Sequence, residues 1–306
     1  MSEALLLGRA DVERLLTPQA CIAAVEDAFR DHALGKVPAP GILGMHAPTG
    51  GFHVKAGFLG TYFAAKVNAN FPGNTDRPTI QGAVILFDAA NGTPLAIMDS
   101  AAITALRTAA ATAVAAKYLA RSECDTALFC GCGAQAPSQL QALLHVRNPR
   151  RVLAYDRDAA RAKAFAERFD ATPVSDLGDA LRASDIVVTC TTAERYLIAR
   201  DMVRPGAFIA AVGADNEHKQ EIDPRLLATA KVVTDLTEQA ARIGDLHHAI
   251  VAGVMSAAEV HAELGEIVAG RKPARERRDE IIVFDSTARA CKTWRPRSPF
   301  IGKRWR

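Results

Sequence analysis

The chain lacks an apolar run approaching the ~20 residues that a membrane-spanning helix needs, so its sequence reads as having no membrane segment. Strong charge of either sign is also missing. Lys and Arg number 37 against 34 Asp and Glu, and the net +3 leaves no electrostatic footprint for nucleic acid. Most of that excess lies between Arg271 and Arg278 and in the last dozen residues, which read as a solvated loop and tail. The six cysteines, at 21, 124, 130, 132, 190 and 291, show neither C-x-x-C spacing nor a disulfide ladder. No charged segment followed by an apolar export core opens the sequence, so a reducing cytoplasm is the expected compartment. The eight histidines fall at no ligand spacing, and no metal is expected.

What is present is a glycine loop in the right setting. Gly131-Cys132-Gly133, then Ala134, Gln135 and Ala136, follow the apolar run 127–130 and open a helical pattern over 135–146. A strand before such a loop, a helix after it and an acid at the end of the next strand describe a dinucleotide site, and Asp156 ends the run 151–155. Glycines at 131 and 133 let backbone N–H groups approach a pyrophosphate, and the helix N-terminus favours its charge. Pro137 suits a first helical turn, where its missing N–H has no intrahelical partner. The rival reading is a structural turn in an unrelated α/β protein. Asp156 is suited to the adenosine ribose hydroxyls and repels a 2′-phosphate, which favours NAD, while Arg157 beside it leaves NADP possible.

The first hundred residues read as α+β: a helix over 18–34, then short strands punctuated by Gly50-Gly51, Gly73-Asn74 and Asn91-Gly92. Asn91-Gly92 between apolar runs predicts a hairpin, and Asp99-Ser100 caps an alanine-rich helix to about residue 120. From 124 onward strands (126–130, 151–155, 185–190, 207–212, 231–235, 281–284) alternate with helices (135–146, 158–168, 176–183, 256–269). This alternation predicts an α/β fold: a Rossmann-type doubly wound parallel sheet, plus an α+β substrate and dimerisation domain. The expected boundaries are 121–284 for the cofactor domain and 1–120 with 285–306 for the other.

Three further stretches, Tyr62 to Asn68, Ile103 to Ala110 and Val212 to Asp215, join the glycine loop. With Ile243 to Leu246, Glu263 to Glu266 and Val283 to Thr287, they resemble, in consistent order over about 20–287, the ornithine cyclodeaminase and mu-crystallin family. The resemblance implies a homodimeric nicotinamide enzyme acting at the C–N bond of an amino or imino acid. It assigns Lys66 and Arg107 to the substrate carboxylate and Asp215 to the proton at nitrogen. Physically, a planar guanidinium orients a carboxylate, and a carboxylate within reach of an amine accepts its proton. The plainer readings are a surface arginine in an alanine-rich helix, a lysine snorkelling from a strand and a solvated loop aspartate. Gly213, Thr191 and Thr192, at strand ends, are the remaining candidates for the cofactor side.

Two departures from the family stand out. Many relatives carry an arginine in the early strands as a third carboxylate ligand; here 41–44 offers none, and Lys55, sharing a strand face with His53, is its expected substitute. After Ser286-Thr287 the family continues with glycine and an apolar helix, whereas this chain reads Ala288-Arg289-Ala290-Cys291-Lys292. One codon choice for Gly-Thr-Gly-Leu-Gln-Asp-Val-Ala-Ala-Ala, displaced by one nucleotide, encodes residues 288–297, so a frameshifted terminus is expected. The leading expectation for activity is conversion of ornithine to proline and ammonia. Alternatives are a cyclic imine (ketimine, pyrroline-2-carboxylate) reductase or amino acid dehydrogenase, and a non-catalytic NAD(P)-binding protein.

Overall fold

The computed structural model describes residues 4–38 and 40–287; the altered terminus expected from Ala288 onward lies outside them. Cα packing divides the described residues into two units, one comprising residues through Arg9 with Val37–Ala101, the other Ala10–Lys36 and residues 102–287. This division differs from the expected boundary near 120, because the two early helices and nearly all of the alanine-rich helix after Asp99 fall in the second unit.

The first unit is a six-stranded sheet of β1 (Leu5–Leu7), β2 (Gly41–Ala47), β3 (Gly50–Leu59), β4 (Tyr62–Asn70), β5 (Ile80–Asp88) and β6 (Pro94–Asp99), in the order β1-β6-β5-β4-β3-β2. Strands β2 to β6 run antiparallel to their neighbours, as hairpins joined by short turns require, and β1 joins β6 in parallel. The turn at Asn91-Gly92 joins β5 to β6 as its sequence predicts.

The second unit holds α1 (Arg9–Leu15), α2 (Pro18–Ala33) and α3 (Ser100–Leu119), the last entered where the Asp99 carboxylate accepts the Ala101 N–H at 3.0 Å. Alternating elements follow: β7 (Thr126–Cys130), α4 (Ala136–Leu144), β8 (Arg151–Tyr155), α5 (Ala159–Phe169), β9 (Thr172–Pro173), α6 (Leu177–Ala183), β10 (Ile186–Thr189), β11 (Phe208–Ala211), α7 (Pro224–Leu227) and β12 (Lys231–Thr234). The unit ends with α8 (Thr237–Ile243), α9 (Asp245–Val251), β13 (Ala262–Glu263), α10 (Leu264–Val268) and β14 (Ile282–Asp285). Its eight strands are all parallel, in the order β13-β12-β14-β11-β10-β7-β8-β9.

Central strands such as β7, β10 and β11 are buried along their whole length, as near-continuous apolar runs must be when both sheet faces are covered. One face packs on Ile22 of α2, on α3, and on Leu140, Phe165 and Leu264; the other on Leu181, Leu226, Ala240 and Leu246. Alanines 109, 110, 113, 115 and 116 of α3 have at most 1% exposure, which accounts for a helix too apolar to show a polar face. Helix α2, expected with the first domain, packs instead on α10, where Gly265 lies against the Phe29 carbonyl.

The helix expected over 256–269 is broken. A short 3-10 turn at Ala257–Glu259 is followed by β13 and then α10, because Ala262 and Glu263 pair with Val233 and Thr234. A Glu263/Glu266 capping box then starts a new helix. Strand order reverses between β7 and β10, which makes their carboxyl ends the topological switch point where open α/β sheets bind ligands.

Candidate functional site

At the switch point, Gly131 takes φ +92°, a left-handed conformation that L side chains avoid. A Cβ there would also stand 2.9 Å from the Cys190 carbonyl oxygen. Gly133 has open space where its Cβ would be, so a ligand can approach its backbone. Helix α4 begins at Ala136 with no side-chain cap from Gln135 and with Pro137 in its first turn, leaving first-turn N–H groups for an anion. Ala134 is exposed, while Ala136 is buried against the sheet.

Asp156, just past β8, closes this site. Its Oδ2 accepts the Cys132 N–H at 2.7 Å and its Oδ1 the Asp158 N–H at 2.9 Å. A carboxylate offers about four acceptor positions, so two bonds leave capacity for ribose hydroxyls. Arg157 is exposed beside it. Loop, helix end and acid fit the dinucleotide that the sequence implies. The thiols around Gly131 serve packing: burial first, then the Asp156 charge, pushes Cys132 up to about 12, and burial raises Cys130 and Cys190 well above the ordinary range.

Across the switch point, Gly213 follows β11 and Thr191 follows β10. The Thr191 N–H and hydroxyl both donate to Glu221 Oε1 at 2.7 Å, so its polar groups point into the protein; Thr192 is exposed. Asp215, half-buried, accepts the Lys219 ammonium on Oδ1 at 2.9 Å. The Lys219 carbonyl is in turn bonded to His248 Nε2 at 2.9 Å, and burial pushes that imidazole below its usual range.

Arg107 lies half-buried on α3. Burial lowers its pKa, Asp235 and then Cys21 oppose that shift electrostatically, and the group stays cationic. Asp235 follows β12 and accepts the Thr287 hydroxyl at 3.2 Å and the Leu236 N–H at 2.8 Å. Asp245 and Asp285 are fully buried: Asp245 Oδ1 accepts the N–H groups of Glu221 and Ile222, and Asp285 Oδ2 accepts that of Leu246. Of these acids, Asp245 and Asp285 accept backbone N–H groups in the interior, whereas Asp215 and Asp235 are half-buried.

In the first unit, register pairs Lys55 directly with Lys66 across β3 and β4, and His53 with Asn68. Directly opposed residues share a face, so two half-buried cations and the Asn68 side chain, which accepts the Ser100 hydroxyl at 2.6 Å, line one side of the sheet. The other face carries Leu43, Met45, Phe52, Phe58, Val67 and Ile97, exposed by 39–57%.

A cavity of about 470 Å³ lies at the opposite, amino-terminal edge of the parallel sheet, beside Thr126, Arg151 and Asp185. Arg121 and Arg204 both bond Asp185, which also accepts the N–H groups of Asp125 and Thr126, so this is an ion-paired edge away from the switch point. Among the described residues, no group of three or more His, Cys, Asp or Glu is arranged to hold a metal, and no helix is long and apolar enough to cross a membrane.

Glu221 was the residue that sequence could not reveal: an acid in the polar stretch 215–221 carries no local sign of burial. The nearest available signal was Gly213, whose missing side chain makes room for the Glu221 carboxylate.

The profile of the Ornithine cyclodeaminase/mu-crystallin family matches residues 2–292. An alanine dehydrogenase of Archaeoglobus fulgidus is 39% identical over 294 residues, covering 94% of this chain and 91% of that protein. The solved structure of an archaeal alanine dehydrogenase dimer with bound NAD superposes with a TM-score of 0.89 at 38% identity, covering 93% of this chain and 90% of that one. The Thermococcus litoralis Delta(1)-pyrroline-2-carboxylate reductase, in complex with NADH and L-proline, gives 0.85 at 34% identity, covering 92% and 91%.

Proposed function

The chain belongs to the ornithine cyclodeaminase/mu-crystallin family, and from that premise we infer that it is an NAD-dependent imine reductase or amino acid dehydrogenase acting on a small α-imino or α-amino acid. The expected conversion of ornithine to proline gives way to this alternative, since the relatives just described are an alanine dehydrogenase and a pyrroline-2-carboxylate reductase.

The observation that carries the reading is the Lys55–Lys66 pair. Their side chains emerge on one face of the sheet, so a single anion there can meet two cations at once. A carboxylate is the anion that every α-amino and α-imino acid supplies. In this reading Lys66 and Lys55 bind that group, and Arg107, whose planar fork suits a carboxylate, keeps the carboxylate role that the resemblance implies. Asp215 exchanges the proton at the substrate nitrogen, and Lys219 holds its carboxylate in place. Gly131, Gly133, the start of α4 and Asp156 hold the pyrophosphate and adenosine ribose of the cofactor. When bound, the cofactor supplies the hydride acceptor or donor.

The exposed apolar face of the first unit fits a second copy of the chain, in keeping with the dimer of the archaeal relative. Sedimentation should give twice 32.6 kDa, and a monomer at micromolar concentration would refute the homodimer. The five cysteines among the described residues form no disulfide, which suits a reducing compartment.

The activity is tested with two substrates. Pyrroline-2-carboxylate should consume NADH; ornithine with NAD should yield neither ammonia nor proline. Ammonia and proline formed without accumulated NADH would restore the cyclodeaminase reading. NAD binding with no turnover of any amino or imino acid would make the protein a non-catalytic binder.

A further inference from the structure

Glu221 has no part in the roles assigned above, yet its carboxylate accepts four hydrogen bonds at the carboxyl ends of the strands. The residue is fully buried. Its Oε1 accepts the Thr191 N–H and hydroxyl, each at 2.7 Å; its Oε2 accepts the Gly213 N–H at 2.7 Å and the Thr189 hydroxyl at 2.6 Å. Thr189 ends β10 and Gly213 follows β11, so one carboxylate clamps the ends of two neighbouring strands. The fit is close enough to exclude any side chain at 213, where a Cβ would stand 2.4 Å from Oε1 and 2.4 Å from the Thr191 carbonyl oxygen.

The clamp is itself held. Asp245 Oδ1 accepts the N–H of Glu221 at 2.8 Å and of Ile222 at 2.9 Å, and Asp285, at the end of β14, accepts the Leu246 N–H at 2.8 Å. A chain of carboxylate-to-backbone bonds thus runs from β14, through the start of α9, to the ends of β10 and β11. Burying a carboxylate costs several kcal/mol unless its acceptors are filled, so such a chain is an expensive way to hold a fold that apolar packing could hold. Its effect is to fix particular backbone atoms.

We propose that Glu221 is a positioning residue for the nicotinamide half of the cofactor. By drawing Thr191 and Gly213 onto one carboxylate, it fixes the two backbone stretches on the second side of the switch point, where a doubly wound sheet seats its second mononucleotide, together with the adjoining Asp215. The proposal rests on the cofactor reading above and is independent of which imino acid is the substrate. Glu221→Gln keeps the size but turns one oxygen into a donor. The hydroxyls can rotate to suit it, whereas one of the two backbone N–H groups loses its acceptor.

The test compares full-length wild type and E221Q by NADH titration, by calorimetry with ADP-ribose, which lacks the nicotinamide, and by thermal melting. E221Q should bind ADP-ribose with wild-type affinity and NADH about tenfold more weakly, because the released backbone stretch no longer presents its ligand-facing atoms in place. Equal weakening of both ligands, or of neither, would mean a merely structural acid and overturn the proposal. So would a wild type that binds NADH no better than ADP-ribose. Should E221Q fail to fold, Thr189→Val removes a single bond of the clamp and must show the same selective loss for NADH, in smaller degree; a loss shared with ADP-ribose again overturns it. Wild type that binds neither ligand would refute the cofactor reading itself. Wild type that binds both but reduces no imino acid would refute only the substrate assignment.

Discussion

On the β7–β8 side of the switch point, the carboxylate at the strand end is Asp156, half-buried and bonded to two backbone N–H groups. On the β10–β11–β14 side, Glu221, Asp245 and Asp285 are all fully buried. A half-exposed carboxylate with two of its positions filled still offers acceptors to a ligand. A fully buried one that accepts N–H and hydroxyl groups of the fold offers them to the protein. Asp156 therefore keeps acceptor positions for the adenosine ribose that the proposed reading places there. The other side uses acids as scaffold, and the proposed proton exchange falls to Asp215, which is half-buried and paired with Lys219.

The most severe test of this contrast is Asp215→Asn. An amide cannot exchange the substrate's proton, so kcat should fall about 10²- to 10⁴-fold, the usual worth of a positioned acid or base. NADH affinity should stay within twofold. A loss of kcat below tenfold would place Asp215 with the scaffold and erase the difference between it and its buried neighbours.

On the adenosine side a smaller effect is expected. Asp156→Ser removes the acceptor for ribose hydroxyls and the charge that repels a 2′-phosphate, while the exposed Arg157 remains. The preference for NADH over NADPH should shift toward NADPH by about tenfold, near the 1.4 kcal/mol of one good polar contact. An unchanged ratio in paired titrations would mean that Asp156 serves the loop through Cys132 and not the ligand.

How far these roles were legible in sequence follows from the same contrast. The glycine loop, the next strand and Asp156 could be read because they lie within 26 residues and each needs a locally visible residue type. His53 and Lys55 on one face followed from strand alternation; their facing Asn68 and Lys66 depends on hairpin register, which residue counting alone did not supply. The Glu221 clamp was illegible because its partners sit 8 to 32 residues away, and a buried acid is spelled like a solvated one. Residues 256–269 have helical apolar spacing, yet pairing with β12 pulls 262–263 into the sheet, so tertiary contact overrides the local pattern. Helices α8 and α9 escaped notice for a related reason: Gly244 splits them into two seven-residue pieces too short to show clear periodicity.

The mildest test concerns Asp285, at the base of the scaffold. Burial is the largest influence on this carboxyl. The Leu246 N–H opposes it, the Asp235 charge adds to it, and together with the Asp245 N–H and the Glu221 charge they leave its pKa raised to about 7. Asp245 is likewise pushed well above the ordinary range, by burial and then by Asp285. In the unfolded chain an aspartate ionises near ~3.9. Between about pH 4 and 7 the folded protein therefore holds a proton that the unfolded chain has lost. The stability tied to that proton is fully present below the unfolded value and is lost as pH rises through about 7, with a slope of at most about 1.4 kcal/mol per pH unit. Asp285→Asn has no such proton to lose, and it removes the neighbouring charge that raises Asp245. Its unfolding free energy, from urea titrations at pH 4.5, 6.0 and 7.5, should decline less steeply than that of wild type, by under about 1 kcal/mol per pH unit. Asp156→Ser, on the exposed side, should leave the slope unchanged. Parallel pH profiles for wild type and Asp285→Asn would show that this acid is charged in the native state, and the division between ligand-facing and scaffold carboxylates would then have to be redrawn.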